Sequence, residues 1–579
     1  MKRRDLLKAA LTIPLLPLLV RTSLATTSRI TRAAASVFRS RVRPGDPGWP
    51  SPAAWDGLKR EVSGRLLKLE SPFAGCQGAN ANAVCADALK HLNNPFALGD
   101  QPALTQTSGW ADAWTSRPSV YAVAAESTAD VVAAVNFARK HHLRLVVKGG
   151  GHSYQGTSDA PDSLLVWPRH MNKVTLHEAF IAQGCAGQEV PQPAVTIEAG
   201  AMWSDAYDAV TTKGGRYVQG GGCTTVGVAG LVQSGGFGSF SKNWGTAAAN
   251  LLQAEIVTAD GEVRIANACT HPDLFWGIKG GGGGSLGTIA RLTLRTFELP
   301  AMFGGVFGSI KAASDDAFRT LIAKAMDFYH SALFNPHWGE QMSFRSNNTL
   351  SISMVFQGLT QPQAEQVWAP FLDWVRASSD YQFVKPVQML ALPARHFWDA
   401  EFFRAHAPQL IVADDRPGAP AHHTLWAGDQ EQVGWFIHSY QSAWLPGALL
   451  QPGQQSRLAD ALFAASRHWG FSLHFNKGLA GGSTDAIERA RDTATHPQVL
   501  DAFALAICAS SGDPAFPGMP NAHPELARAR REAATIDQTM DVLRAVAPGA
   551  GSYVSESDYF LHDWQQGFWG SHYAKLAEV

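Results

Sequence analysis

Three glycine-rich segments constrain the fold of this chain more than any other feature of its sequence. They lie in residues 146–154 (VVKGGGHSY), 220–238 (GGGCTTVGVAGLVQSGGFG) and 279–285 (KGGGGGS). Each adjoins sequence typical of a buried strand, which disfavours the alternative that they are flexible surface loops. Consecutive glycines let successive backbone N–H groups point into one concavity, an arrangement that suits phosphate. The three segments together predict a single long ligand that carries phosphate.

The first glycine segment does not fit a dinucleotide-binding loop of the Rossmann type. That loop needs GxGxxG at the start of a helix directly after a strand. Here a strand is predicted at residues 143–147, but a hydroxyl-rich loop follows the glycines. The fold class must therefore come from the arrangement of the other elements.

Two regions with different patterns follow each other along the chain. Between residues 119 and 297, short strands alternate with helices. We expect strands at 119–125, 143–147, 195–198 and 288–296, helices at 128–141 and 204–212, and a hairpin of 252–258 with 263–266 across Asp260-Gly261. After residue 301, strands expected at 349–356 and 470–475 alternate like those of an antiparallel sheet, with helices expected at 361–377, 454–468 and 484–491. The pattern predicts an α+β protein of several units.

The composition excludes some classes of protein. The chain has 579 residues, of which 45% are hydrophobic and 17% charged, so it can bury a large core and is not a disordered chain. Its formal net charge of −1 gives no electrostatic reason to expect a nucleic-acid partner.

The N-terminus has the features of an export signal. Lys2, Arg3 and Arg4 precede an apolar run over residues 9–20 that is too short to span a membrane, and small residues favour cleavage after Ala25. The paired arginines resemble a twin-arginine signal, and an ordinary secretory signal is the alternative. We expect a protein exported after folding to the periplasm or the extracellular space, with no stable membrane anchor.

The six cysteines differ in their expected roles. Cys76 and Cys85 flank a short polar loop and are expected to form a disulfide, which an exported protein can keep. Cys185 and Cys269 could pair or stay free, and Cys508 reads as a small core residue. No cysteine or histidine spacing indicates zinc, so no metal site is predicted.

At this point the motifs match a known family. Residues 119–296 resemble the flavin domain of the vanillyl-alcohol oxidase / p-cresol methylhydroxylase superfamily, in its berberine-bridge-enzyme-like branch, and the aromatic motif of residues 553–570 extends the resemblance to the C-terminus. The resemblance implies an α+β fold with a two-part FAD-binding domain, an antiparallel-sheet substrate domain with helices, and a C-terminal segment that returns to the FAD domain. The expected division is a signal peptide (1–25), a linker and N-terminal cap (26–110), the FAD-binding domain (111–300), the substrate domain (301–545) and the C-terminal segment (546–579).

The resemblance also implies a covalently bound FAD. It places His152 at the position bonded to the flavin 8α carbon and Cys223 at the position bonded to flavin C6, and both are nucleophiles that follow three glycines. The alternatives are a histidine beside a noncovalent flavin and a buried thiol in a singly linked protein. The further residues expected at FAD are Lys148, Gly149, Gly150, Gly151, Ser153, Thr224, Thr225, Val226, Gly227, Gly230, Gly235, Gly236 and Gly238. Leu231 departs from the family, which has a histidine there, so backbone N–H groups or Gln233 would have to replace it near flavin N1.

The implied activity is the oxidation of an alcohol group, of a sugar or oligosaccharide, by hydride transfer to FAD. Such a reaction needs a base for the hydroxyl proton, and Glu556 matches the position of a catalytic tyrosine in relatives. Tyr154 is a second catalytic candidate, for substrate contact, and Asn476-Lys477 could reach the same cavity. Val226 matches a position that admits dioxygen, which favours an oxidase. The alternatives are a dehydrogenase with another electron acceptor and a non-catalytic flavin-binding protein.

Overall fold

The computed structural model describes residues 41–76 and 83–579. The predicted signal peptide at 1–25 lies outside these residues, and so does most of the loop between Cys76 and Cys85. None of the helices in the described ranges is long and apolar enough to cross a bilayer.

The strands are numbered in chain order. They are β1 (Leu66–Lys68), β2 (Thr107–Trp110), β3 (Trp114–Thr115), β4 (Tyr121–Ala124), β5 (Arg144–Val147), β6 (Ser163–Trp167), β7 (Val174–Phe180), β8 (Gln192–Glu198), β9 (Arg216–Val218), β10 (Leu251–Val257), β11 (Val263–Asn267), β12 (Thr288–Glu298), β13 (Met302–Ala312), β14 (Trp338–Arg345), β15 (Thr349–Gln357), β16 (Tyr381–Pro393), β17 (Ile411–Ala413), β18 (Thr424–Trp426), β19 (Gly434–Pro446), β20 (Phe471–His474) and β21 (Ala502–Gly512).

The helices are numbered in the same way. They are α1 (Pro52–Glu61), α2 (Ala83–Lys90), α3 (Pro95–Asp100), α4 (Thr128–His141), α5 (Trp203–Tyr207), α6 (Val228–Gln233), α7 (Ser241–Trp244), α8 (Pro272–Ile278), α9 (Asp315–Phe328), α10 (Gln361–Arg376), α11 (Ala400–His406), α12 (Gln455–His468), α13 (Thr484–Arg491), α14 (Leu526–Val546), α15 (Trp564–Trp569) and α16 (Tyr573–Glu578).

Two sheets form the half of the protein that contains the first two glycine segments. One has the order β1-β4-β6-β5, with β4 and β5 parallel to β6 and β1 antiparallel to β4. The other has the order β11-β10-β12-β8-β7, with β9 paired to β12. Helix α4 packs on the first sheet. It begins with a capping box in which Ser127 and Asp130 satisfy each other's backbone N–H groups.

A nine-stranded sheet forms the other half. Its order is β16-β13-β15-β14-β20-β21-β19-β2-β3, antiparallel except for the parallel pair β19 and β2. Helices α9, α10, α12 and α14 contribute residues to the apolar core on this sheet, with Phe318, Trp368, Leu462 and Met540 at 0% exposure. The amphipathic pattern of these helices places their apolar faces there. A separate two-stranded hairpin consists of β17 and β18.

Most elements expected from sequence are present within one to three residues. The helix expected at 128–141 is α4, and the hairpin across Asp260-Gly261 joins β10 to β11 in register Val257 to Val263. The helix expected at 204–212 is α5, followed by a π-helical turn over Asp208–Lys213. The mixed helix and sheet fold confirms the predicted class.

The N-terminal segment does more than the expected linker and helical cap. Strand β1 joins the first sheet, whereas β2 and β3 extend the nine-stranded sheet. Strands β1, β2 and β3 therefore connect this segment to both halves of the protein.

Both possible disulfides are formed. Cys76 is bonded to Cys85, as predicted, and Cys185 is bonded to Cys269, which the sequence left open. Cys508 is a free buried thiol in the core of the nine-stranded sheet, as expected, and Cys223 is free and half-buried.

Candidate active site

Thr225 brings the two predicted flavin-linking residues together. Its hydroxyl lies 3.0 Å from His152 Nε2 and 3.4 Å from Cys223 Sγ. His152 comes from the loop after β5, and Cys223 from the loop between β9 and α6. Two nucleophiles that are 71 residues apart in the sequence thus face one site.

Close backbone packing between the two loops explains several of their glycines. A Cβ on Gly150 would stand 2.7 Å from the Gly227 nitrogen and 2.8 Å from the Thr225 oxygen, both backbone atoms. Gly149 and Gly222 differ, since a Cβ there would meet no atom closer than 3.5 Å. The loops therefore touch at Gly150 and Gly227, whereas a Cβ on Gly149 or Gly222 would make only ordinary van der Waals contacts.

The protonation states of the linking residues follow from burial. Burial lowers the pKa of His152 to about 4, so its imidazole is neutral at neutral pH and can act as a nucleophile. Burial, together with the charge of Asp429, raises the pKa of Cys223 to about 11. The thiol must therefore lose a proton before it can form a thioether.

Lys148 was expected at the cofactor, and in the structure its side chain is used elsewhere. Its ammonium is fully buried and donates to the carbonyl oxygens of Leu98, Gln101 and Leu104 at 3.0, 2.6 and 2.5 Å. Its backbone N–H donates to the Val166 oxygen. With these donors in use, Lys148 anchors the N-terminal segment and offers the cofactor no hydrogen bond.

The other residues expected at the cofactor differ in their contacts. The hydroxyl of Ser153 lies 2.7 Å from that of Thr157, and the hydroxyl of Thr224 donates to the Thr424 oxygen at 2.8 Å. Gly230 lies in helix α6 with open space around it. Gly151, Gly235 and Gly236, also expected there, have φ of 80°, 105° and 75°, a backbone conformation that favours glycine. Gly238 is tightly packed, since a Cβ there would overlap the Gly220 oxygen.

The third glycine segment packs against the C-terminal segment. Trp569 Nε1 donates to the Gly280 oxygen at 3.0 Å, and a Cβ on Gly281 would meet the Leu576 side chain at 2.8 Å. The side chain of Gln233, considered for flavin N1, is bonded to the Ala229 oxygen and the Gly284 nitrogen instead. Sequence reasoning could not separate these packing roles from ligand binding.

Glu556 and Lys477 form an ion pair at the same site. Lys477 Nζ lies 2.6 and 2.5 Å from the two carboxylate oxygens of Glu556, and both side chains are largely buried. The Ser442 hydroxyl on β19 holds the segment in place, since it accepts from Tyr553 N and donates to the Glu556 carbonyl. The sequence singled out both residues but not their contact.

Two tyrosines stand beside this pair. The rings of Tyr154 and Tyr440 are 4.9 Å apart, and burial and the charge of Glu556 raise the pKa of both phenols. Gln155, next to Tyr154, donates to the Val554 oxygen and the Ser557 hydroxyl, so the His152 loop is tied to the Glu556 segment. Both phenols keep their protons at neutral pH and can donate hydrogen bonds.

Glu340 on β14 was missed by sequence reasoning. It has φ of 66°, which is unusual for a residue other than glycine, and its carboxylate accepts from Ser239 and, at 3.4 Å, from Asn476. Its Oε1 is 3.5 Å from the Cβ position of Gly222, next to Cys223. Burial raises the pKa of Glu340. Nothing in the strand-like sequence around it distinguishes this glutamate.

A second missed acid is Asp429. Burial, and then the charge of Glu340, raise its pKa to about 7. Glu340, Asp429 and Glu556 together make the site rich in carboxylates, with Lys477 as a neighbouring cation of two of them. Such strongly perturbed groups are typical of functional sites.

Comparison with known protein families identifies the ligand class. Residues 119–267 match the family model described as an FAD binding domain. This range contains His152, Cys223 and the first two glycine segments. The cofactor of the site is therefore FAD.

Two relatives extend the comparison. An FAD-linked oxidoreductase of Malbranchea aurantiaca is 37% identical over 299 residues, covering 48% of this chain and 50% of its own. The chain thus matches about half the length of the first curated relatives. The VAO-type flavoprotein oxidase VAO615 of Thermothelomyces thermophilus is 26% identical over 569 residues, covering 93% of this chain and 90% of its own.

Solved structures show the same fold. The VAO-type flavoprotein MtVAO615 of Myceliophthora thermophila C1 superposes with a TM-score of 0.74 at 24% identity, covering 93% of this chain and 94% of that one. Glucooligosaccharide oxidase of Acremonium strictum, described with a 6-S-cysteinyl, 8α-N1-histidyl FAD, superposes with a TM-score of 0.57 at 18% identity, covering 79% of this chain and 88% of that one.

Proposed function

The chain belongs to the vanillyl-alcohol oxidase / p-cresol methylhydroxylase superfamily, in its berberine-bridge-enzyme-like branch, and on that premise we propose that it is an FAD-dependent oxidase of an alcohol group. The observation that carries the proposal is the convergence of His152 and Cys223 on one site that is rich in carboxylates. We propose that dioxygen is the electron acceptor.

The cofactor is proposed to be linked twice, through His152 Nδ1 and Cys223 Sγ. His152 Nε2 is engaged with Thr225, which leaves Nδ1 as the ring nitrogen available for a bond. When bound, FAD supplies the acceptor for a hydride from the substrate carbon.

The protein then has to remove the hydroxyl proton of the substrate. Glu556 is proposed as the base, since an ionised carboxylate in a largely buried site can accept a proton. Lys477 holds both oxygens of that carboxylate and thereby fixes its position. Tyr154 and Tyr440, with their protons retained, are proposed to donate hydrogen bonds to the substrate oxygen.

We propose a sugar or oligosaccharide as the substrate. A site with three carboxylates and two phenols offers many partners to a polyhydroxylated molecule, and purely apolar substrates would leave these groups unpaired. The glucooligosaccharide oxidase among the structural neighbours supports the same class.

Export after folding, to the periplasm or outside the cell, remains part of the proposal. The bonded pairs Cys76–Cys85 and Cys185–Cys269 support an oxidising compartment.

The test is a panel of mono- and oligosaccharides and other alcohols under anaerobic conditions. We expect a sugar to bleach the flavin absorbance, and air to restore it within seconds with release of hydrogen peroxide. Bleaching without rapid recovery in air would favour the dehydrogenase alternative. If no alcohol bleached the flavin absorbance although light still reduced the flavin, the proposed activity would be overturned and the protein would be a flavin-binding protein without turnover.

A further inference from the structure

Two adjacent histidines converge on one carboxylate oxygen away from the flavin-linking residues. His422 Nε2 lies 2.9 Å and His423 Nε2 3.3 Å from Asp205 Oδ1. Asp205 belongs to helix α5, and the histidines immediately precede β18. The three ligand atoms lie within 4.8 Å of one another. Two imidazoles and a carboxylate are a ligand set that Zn²⁺ takes in proteins.

The outer nitrogens of both rings face further carboxylates. His422 Nδ1 is 3.6 Å from Asp208 Oδ2, and His423 Nδ1 is 3.8 Å from Asp414 Oδ2. If both histidines were neutral and donated Nε2–H to Asp205, each bare Nδ1 would face a carboxylate, acceptor to acceptor. With the proton on Nδ1 instead, both Nε2 lone pairs face Asp205 Oδ1 at 2.9 and 3.3 Å, which is again a contact between acceptors and one that a cation bound among the three atoms would relieve. A carboxylate beside the outer nitrogen of a histidine is common at zinc sites, but both distances here are longer than a hydrogen bond, and His423 Nδ1 has no hydrogen-bond partner among the described residues.

The carboxylate of Asp205 is also held as a ligand would be. Its other oxygen, Oδ2, accepts from the Met202 backbone N–H at 2.9 Å and lies 3.6 Å from Arg169 Nη1. These contacts orient the carboxylate and leave Oδ1 toward the histidines. His423 is 4% exposed and stacks on Phe96 with ring centroids 4.4 Å apart, so its ring is fixed as well.

The local charge leaves room for a cation. Carboxylates outnumber the basic side chains paired with them by one, before any metal is counted. The acids are Asp100, Asp205, Asp208 and Asp414, and the bases are Arg169, Lys213 and Arg416. A divalent ion would offset this excess.

We propose that Asp205, His422 and His423 bind one Zn²⁺ ion, with water as the fourth ligand. The site would have a structural role, because it joins the hairpin of β17 and β18 to the loop that carries Cys223. Ser204 N, beside Asp205, donates to the Thr224 oxygen, and the Thr224 hydroxyl donates to the Thr424 oxygen. The inference concerns zinc binding and does not depend on the reaction that the flavin site performs.

Zinc titration of the flavin-loaded protein after treatment with a chelator tests the proposal. By calorimetry we expect one equivalent of Zn²⁺ per chain and a higher melting temperature of the wild type. His422→Gln should weaken binding at least tenfold, and Asp208→Asn, which alters only the outer carboxylate, about 10–100-fold. His406→Gln, an exposed histidine of the preceding helix, should bind zinc like the wild type.

X-ray absorption at the zinc edge of the wild type gives a result that needs no variant. We expect two imidazole nitrogens and oxygen ligands, all at about 2.0–2.1 Å from the zinc ion. No stoichiometric zinc in the wild type would overturn the proposal, and so would equal affinity of His422→Gln and wild type. A zinc environment with sulfur or a single histidine would equally place the ion elsewhere.

Discussion

Lys477 Nζ contacts both carboxylate oxygens of Glu556, at 2.6 and 2.5 Å, across 79 residues of sequence. Lys477 follows β20 of the nine-stranded sheet, and Glu556 comes from the C-terminal segment. The pair therefore connects the substrate half to the last part of the chain at the site where His152 and Cys223 meet. A fixed carboxylate at this place is the basis of the first prediction.

Glu556→Gln should lower kcat about 10²–10⁴-fold with the sugar that proves best in the panel, because the amide cannot accept the hydroxyl proton. The substitution keeps the size of the side chain, so the flavin spectrum should stay the same. Glu488→Gln, in an exposed pair with Arg491, is the matched control and should be active. If Glu556→Gln retained full kcat while Glu340→Gln lost it, the base would be Glu340.

The flavin should remain on the wild-type chain after denaturation in acid, because two covalent bonds hold it. Cys223→Ala should keep the flavin through His152 alone, and the double variant with His152→Ala should release it into the acid supernatant. Fluorescence of the protein band in a denaturing gel measures this. Cys508→Ala serves as a control for loss of a buried thiol. Full release from the wild type would refute both linkages.

The stability of the protein should depend on Asp429 between about pH 4 and pH 7. Its pKa is raised from 3.8 to about 7 in the folded state, so the folded protein holds a proton that the unfolded chain has released in this window. Stability therefore falls as pH rises through it, by about 4 kcal/mol at most and less if the carboxyl is partly hydrated. Asp429→Asn should be more thermostable than wild type at pH 8.

The same two proteins should approach similar melting temperatures as the pH falls below 3.8, the unfolded pKa, where Asp429 becomes protonated in both folded and unfolded states. Asp460→Asn, an exposed acid, is the control and should show no such pH-dependent difference. If the difference in melting temperature between Asp429→Asn and wild type were the same at all pH values, the result would count against the raised pKa of Asp429.

Removing the Cys185–Cys269 disulfide should destabilise the protein more than removing Cys76–Cys85. The sequence separations are 84 and 9 residues, and the chain-entropy model gives losses of about 4.5 and about 3 kcal/mol. Paired serine substitutions and thermal denaturation compare the two. The opposite order would show that native-state contacts outweigh loop length.

Val226→Leu should slow the reaction of the reduced flavin with dioxygen by about tenfold, a barrier increase of about 1.4 kcal/mol. Val226 is partly buried beside Cys223, and its N–H lies 3.5 Å from the Cys223 oxygen, so one more methylene narrows the approach. Stopped-flow reoxidation after photoreduction measures the rate. Val190→Leu, at a valine that is 81% exposed, is the control. Equal reoxidation rates for Val226→Leu and wild type would show that Val226 does not control the access of dioxygen to the flavin.

Local patterns predicted the elements that depend on local sequence. The capping box at Ser127 and the Asp260-Gly261 turn each determine an element by residues within a few positions, and α4 and the β10–β11 hairpin are where they were expected. His152 and Cys223 were identifiable because their glycine motifs resemble a family. The contacts of the Lys148 side chain could not be predicted, because the sequence cannot show that its ammonium would meet three carbonyl groups 44–50 residues away.

The features that the sequence did not predict depend on contacts between residues far apart in the chain. Glu340 has a positive φ in β14, and beside it a Cβ on Gly339 would overlap the oxygen of Ser239, a residue about 100 positions earlier in the chain. The convergence of Asp205 with His422 and His423 spans more than 200 residues. Neither leaves a periodic or spacing signal in the chain.

The parallel pairing of β2 with β19 affects the order in which the protein can fold during synthesis. Thr107 lies opposite Gly434, so β2 leaves the ribosome more than 300 residues before its partner. Until then β2 can pair with β3 on one edge only, and the edge that later meets β19 has no strand to pair with. A contact of such high sequence separation closes slowly. The nine-stranded sheet is therefore completed only after most of the chain has been made, and a nascent chain halted before residue 434 would expose β2 to chaperones or to aggregation.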